Sequence, residues 1–306
     1  MISPATPEQV RWARKLGPQQ RAELHIIDVT TGVASLVFSS GERLFESPNW
    51  HPDGRFILVN ADGLLFRIDL KDPKLVEIPS TGLPELNNDH LISPDGKWHY
   101  LSANDGHIYR LPFEGGHAQQ ITVAKPATRR FKHFLHGISP DGAKLAYVGV
   151  EDLNGDEWGR RALWMLDLDS GTETQIGDGY SPADGPDFAR DGLSLFFNSE
   201  YNSAIEGHAQ IFQVSFADQK VDQLTSDERV NWFPHPSPDG RMLAYLSYEP
   251  GTVGHPADQP VKLRLLSLEN GTIRELVDLH GGQGTINVTS WSKDSKHLAY
   301  ISYPLD

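Results

Sequence analysis

The 306-residue chain sets 41 acidic against 27 basic side chains, a net charge of −14, and 38% of its residues are hydrophobic. That balance opposes binding to nucleic acid or to an anionic membrane and favours a neutral, cationic or metal-bridged partner. The absence of cysteine excludes disulfides, thiolate metal centres and cysteine nucleophiles, and no run approaches the roughly 18 apolar residues of a membrane span.

In chain order, Met1 to Gln20 holds no apolar block and carries Arg11, Arg14 and Lys15, unlike a secretory signal. A cytoplasmic protein is expected, or a periplasmic one if a signal precedes this chain. Thr6-Pro7-Glu8 before Val10 to Leu16 offers an N-cap and a first-turn proline, predicting a short helix in an extension over 1–21. Residues 22–38 then read as the third and fourth strands of a sheet that has no first and second.

A turn phrase occurs six times: His51-Pro52-Asp53-Gly54, Ser93-Pro94-Asp95-Gly96, Ser139-Pro140-Asp141-Gly142, Ala189-Arg190-Asp191-Gly192, Ser237-Pro238-Asp239-Gly240 and Ser292-Lys293-Asp294-Ser295. Its aspartates stand 42, 46, 50, 48 and 55 residues apart, the space of four short strands and their connections. Proline pre-sets the first corner of such a turn, and aspartate and glycine accept the backbone conformations of the remaining corners. In the first complete copy Ser47 to Trp50 leads into the turn, Phe56 to Asn60 returns, Leu64 to Leu70 runs out again and Lys74 to Pro79 closes the sheet. Residues 286–303 supply the first and second strands that 22–38 lack. The two ends together complete a sixth sheet, so the expected fold is all-β: a six-bladed propeller of four-stranded antiparallel blades over 22–306, closed by pairing 22–38 with 286–303.

The Ser-Pro-Asp-Gly phrase, followed by Lys or Arg and by strands such as Lys144-Leu145-Ala146-Tyr147 and Met242-Leu243-Ala244-Tyr245, resembles the signature of the TolB-like six-bladed propellers. Proteins with that signature include the periplasmic TolB of an envelope complex, propeller domains of prolyl-oligopeptidase-like peptidases, and oligogalacturonate lyases with a histidine-held metal. The resemblance implies the fold and carries over no functional residue. No Gly-x-Ser-x-Gly occurs here, so a nucleophile elbow is not supported.

If the turn phrase joins strands one and two at the bottom, the approach to strand one and the loop from strand two to three share the top. Three top loops are long: Glu151 to Arg161, Ser199 to His208 and Glu249 to Pro260. Function tends to reside in such loops on a rigid scaffold. The approach segments read Asn87-Asn88-Asp89-His90, His133-Phe134-Leu135-His136, Asp184-Gly185-Pro186-Asp187, Asn231-Trp232-Phe233-Pro234-His235 and His280 to Asn287. Converging on the channel mouth, they suggest a divalent metal (manganese, zinc, iron or calcium) on some of His90, His136, His235 and His280, with His136 and Asp187 carrying protons. Asn88, Trp158, Asn231, Trp232, Gln283 and Asn287 are the expected ligand contacts. The alternative for each polar residue is a local hydrogen bond to turn backbone or channel water. Asp152 to Glu157 has an imperfect calcium-loop spacing and reads as a solvated acidic loop, and Trp50 and Trp291 read as blade packing. The function expected is a propeller that binds a small polar molecule or a protein partner on its top face. The alternative is a metal-assisted carbohydrate or sugar-acid lyase or hydrolase.

Overall fold

The computed structural model describes residues 13–177, 180 and 182–305. The first three residues of the short helix predicted over Val10 to Leu16 lie outside them, and the rest is corrected: residues 13–17 have no regular structure. From the channel outward, the second blade stacks Glu46–Trp50, Phe56–Ala61, Leu64–Asp69 and Asp72–Glu77. The third uses Leu86–Ile92, Trp98–Ala103, Ile108–Pro112 and Gln119–Gln120, and the fourth Lys132–Ile138, Lys144–Leu153, Asp156–Asp167 and Glu173–Gln175. The fifth uses Ala183–Phe188, Ser194–Ser199, Gln210–Ser215 and Val221–Gln223, and the sixth Val230–Pro236, Met242–Tyr248, Ala257–Ser267 and Ile273–Gly282. Neighbouring strands of each blade run antiparallel. A single 3₁₀ turn at Ala127–Arg129 is the helical content of the described residues, and none of them forms a helix able to cross a membrane.

The first blade closes the ring as its two half-repeats foretell. His297–Ser302 pairs with Ala22–Asp28, which pairs with Ala34–Ser40. A bridge from Trp291 to Leu298 brings the inner segment alongside. Apolar side chains then pack between blades: Leu24, Phe45 and Ile57 join the first to the second, and Ile27, Trp232 and Leu263 join the first to the sixth. Such packing between sheets that each have one short exposed edge is what the closed ring supplies.

The repeated phrase has one physical job, repeated. Ser93 Oγ donates to Asp95 Oδ1 at 2.6 Å, and the same oxygen of Asp95 accepts from Lys97 N at 3.1 Å while Ser93 Oγ accepts from Trp98 N at 3.0 Å. The Ser139–Asp141, Ser237–Asp239 and Ser292–Asp294 copies repeat the first bond at 2.6, 2.6 and 2.7 Å. The fourth turn position is left-handed, with φ of 73° at Gly96, 75° at Gly142 and 74° at Gly240, which favours glycine. Serine takes it only at Ser295, with φ of 61°.

Two top loops are shorter than predicted. Leu153 pairs with Asp156, so most of Glu151 to Arg161 is an extended hairpin. The Glu249 to Pro260 stretch enters a strand at Ala257, paired with Gly282. Alternation of hydrophobic residues stops where these hairpins leave the packed blade, which removes the signal for strand.

Buried histidines give the fold an acid limit. Burial, with a contribution from His99, pushes His90 down to about 3, and burial pushes His99 down to about 4 while its Nε2 donates to the Phe113 carbonyl at 3.0 Å. A histidine with a folded pKa below its ordinary 6.5 stabilises when neutral, and that stability drains away as pH falls from about 6.5 toward the folded value. The melting temperature is therefore expected to drop over that interval. His99→Phe should flatten the decline by about 1.4 kcal/mol per pH unit, one proton's worth. Unchanged slopes in thermal melts across the interval would contradict the assignment.

Candidate functional site

Each of five inner strands carries a register shift, between Glu46 and Asn49, Leu86 and His90, Leu135 and Gly137, Asp184 and Asp187, and Trp232 and His235. At three of them the backbone turns left-handed, with φ of 57° at Ser47, 58° at Gly185 and 57° at Phe233. A bulge re-aims the side chains on either side of it, and here it separates two tasks.

Residues after the bulge tie blades together. Asn49 donates to the Thr289 carbonyl at 2.6 Å and accepts from Ile92 N at 2.9 Å. Asp187 meets His235 Nδ1 at 3.1 Å, and His235 Nε2 donates to the Ile286 carbonyl at 2.7 Å. Asp187 and His235 are thus buried inter-blade ties, away from the cavity lining.

Residues before or within the bulge reach the mouth. Glu46, Asn88, Asp89 and Asp184 line a cavity of about 270 Å³ together with His136, His255, Gln283 and Asn287. Phe134, Trp158 and Phe233 add aromatic faces to its lining, Phe233 stacked on His136 with ring centroids 5.9 Å apart. His136 rests its Nε2 on Asp184 Oδ1 at 3.2 Å and donates from Nδ1 to the Asn287 carbonyl at 3.2 Å. Burial alone would lower the His136 pKa, but the charge of Asp89 and the hydrogen bond and charge of Asp184 outweigh it and push it up to about 9. His136 is therefore an imidazolium at neutral pH. Asp184 is held below the usual carboxylate range by His136 against the opposing effect of burial. Asp89 is pushed up to about 7 by burial, His136 pulling it down and Asp184 and Glu46 pushing it further up. Burial also raises Glu46, which accepts from Arg14 at 2.8 Å. Arg14 in turn donates to the Gln283 carbonyl at 2.7 Å across the rim.

Of the residues expected from sequence, the cavity thus collects His136, Asn88, Trp158, Gln283 and Asn287. It does not collect the others. His90 is 1% exposed, set against the Ser47 and Leu58 backbone of the neighbouring blade, and His280 lies on the outermost strand of the sixth blade, where its carbonyl accepts from Tyr303 N at 2.8 Å. Asn231 is consumed by Gln210, Asp227 and Ser247, and Trp232 is buried against the His255 ring at 4.5 Å. Among the described residues no three His, Asp or Glu side chains are grouped to hold a metal ion. The predicted centre on His90, His136, His235 and His280 is corrected accordingly: bulges and blade position send the four imidazoles to different places.

Sequence reasoning missed Arg14, Glu46, Asp89, Asp184 and His255 as site residues. A signal was present for two of them. Glu46-Ser47-Pro48-Asn49, Asp184-Gly185-Pro186-Asp187 and Trp232-Phe233-Pro234-His235 occupy one repeat position, and X-Pro after a residue able to turn left-handed marks the bulge. The acidic residue ahead of it faces the mouth.

No family model matches the chain. An uncharacterized protein of Agrobacterium fabrum is 36% identical over 292 residues, covering 94% of both chains. A solved structure from Agrobacterium tumefaciens, described as a candidate TolB, is 34% identical with a TM-score of 0.84 and covers 94% of this chain and 99% of that one. A protein TolB homolog of Chlorobium chlorochromatii is 28% identical over 143 residues, 46% of this chain and 28% of that protein. An oligogalacturonate lyase in complex with manganese superposes with a TM-score of 0.58 at 14% identity, over 92% of this chain and 78% of that one, a likeness of fold.

Proposed function

The chain belongs to the TolB-like six-bladed β-propeller family, and from that premise we propose that it binds a small polar ligand in the cavity at the mouth of its channel. The observation that carries this reading is the cavity itself: about 270 Å³, lined by the aromatic rings of Phe134, Trp158 and Phe233 and by Asp89, His136 and Asp184. A concave site of mixed apolar wall and few convergent polar groups is the usual form of a small-molecule site. A charged imidazole bracketed by two carboxylates is expensive to bury, and a role in orienting a ligand accounts for its retention there.

The test is a thermal-shift panel of amino sugars, sugar acids and small amines on wild type and His136→Gln. Saturation at about 100 times the dissociation constant adds about 2.7 kcal/mol, so at least one compound should raise the wild-type melting temperature by several degrees and leave the variant unmoved. A panel with no stabilising member, or equal stabilisation of both proteins, overturns the reading. Should a stabilising compound also be consumed, Asp89 and His136 are the groups placed to move its proton.

A second reading, a protein partner on the same face, is favoured by exposed apolar side chains on the loops around the mouth: Leu153 at 53%, Trp158 at 51%, Ile205 at 63% and Val253 at 68%.

A further inference from the structure

The charges in the cavity do not cancel. Glu46 is paired with Arg14, and Asp184 with His136, with Arg161 also acting on it. Among the described residues Asp89 has no cation of its own: it shares His136 with Asp184 and otherwise faces Asp184, Glu46 and the Asn287 side chain. Asn60, 4% exposed and lining the same cavity, has a buried Oδ1 with no hydrogen-bond partner, while its side chain also bonds to Glu46. An unmet buried acceptor carries a cost that a ligand donor would remove. The Trp158 ring suits a cation too: Lys132 Nζ, itself paired with Glu157 at 3.5 Å, stands 6.0 Å from its centroid, and Phe134 packs on it at 5.4 Å.

We propose that the ligand of this cavity is a small ammonium compound, its N–H groups donated to Asp89 and the Asn60 carbonyl and its carbon body laid against Phe134 and Trp158. The inference rests on the reading of the cavity as a small-molecule site and gives its ligand class. A cation beside Asp89 keeps its carboxyl ionised, and that carboxylate with the unpaired Asn60 amide oxygen then offers acceptors, which an ammonium group can fill with its several donors and a second carboxylate cannot. An aromatic face adds cation–π attraction to the same group.

Calorimetric titrations with two matched pairs, benzylamine against benzyl alcohol and glucosamine against glucose, test it. Wild type should bind the ammonium member of at least one pair tenfold or more tightly than its neutral mate. Asp89→Asn, nearly isosteric, should erase the preference. Trp158→Ala, at a half-exposed site that does not hold the fold, should weaken the ammonium member several-fold and decides the matter if the first variant fails to fold. Equal affinity for both members of each pair, with binding still lost in His136→Gln, overturns the ammonium assignment and leaves the small-molecule reading standing. Absence of binding by every probe overturns both.

Discussion

Removal of residues 297–306 is expected to abolish folding. The excised strand pairs along its whole length with Ala22–Asp28, and Leu298, Ala299, Ile301 and Tyr303 have no exposed surface. Burying a large apolar side chain contributes roughly 1.5–3 kcal/mol, so Leu298, Ile301 and Tyr303 alone approach the roughly 5–15 kcal/mol by which a domain is stable. Loss of the strand also bares the edge of Ala22–Asp28, a template for pairing with other chains. The truncated chain should be insoluble, or soluble only as aggregates by size exclusion. A monomer that unfolds cooperatively would show that the ring does not depend on closure by its ends.

The second large effect is expected from Asp184→Ala. The carboxylate that meets His136 Nε2 at 3.2 Å would be replaced by a methyl group, leaving Asp89 as the remaining counter-charge. Breaking a buried pair costs about 3–5 kcal/mol, and the low end, about 3 kcal/mol at neutral pH, is expected because imidazole can shed its proton. Since the folded pKa of His136 lies at about 9, above the ordinary 6.5, its contribution is whole below about pH 6.5 and lost as pH rises through the folded value. The stability gap between wild type and variant should therefore close in alkaline solution. Denaturant unfolding at neutral and alkaline pH measures the gap, and an NMR titration of the His136 ring should show its pKa fallen. An unchanged pKa in the variant would show that Asp184 does not hold the His136 proton.

Fold was legible and site only in part, for a reason visible in the residues. Six Asp-centred turns advertise the blades because each turn closes on its own side chains, as Ser93 does on Asp95, so the sequence signal is local. Half-repeats at the two ends then predict closure without knowledge of any contact. Which side chains meet in the channel depends on bulges, and one residue of bulge exchanges the mouth for the blade interface. Asp187 and Asp184 belong to one tetrapeptide; the first ties blades and the second holds His136. His255 and Arg14 come from a top loop and from the segment before the first strand, and each reaches the mouth by the path of its chain: His255 to Gln283 at 2.5 Å, Arg14 to Glu46. Neither stands in a repeated position, so no comparison between blades could find them.

The proposed function turns on the occupant of the channel mouth. The most direct measurement is diffraction from crystals grown with a compound that stabilises the protein in the thermal-shift panel. The prediction is ligand density in the cavity bounded by Asp89, His136, Phe134 and Trp158. Ligand density elsewhere on the propeller, with only water in the mouth, would contradict it.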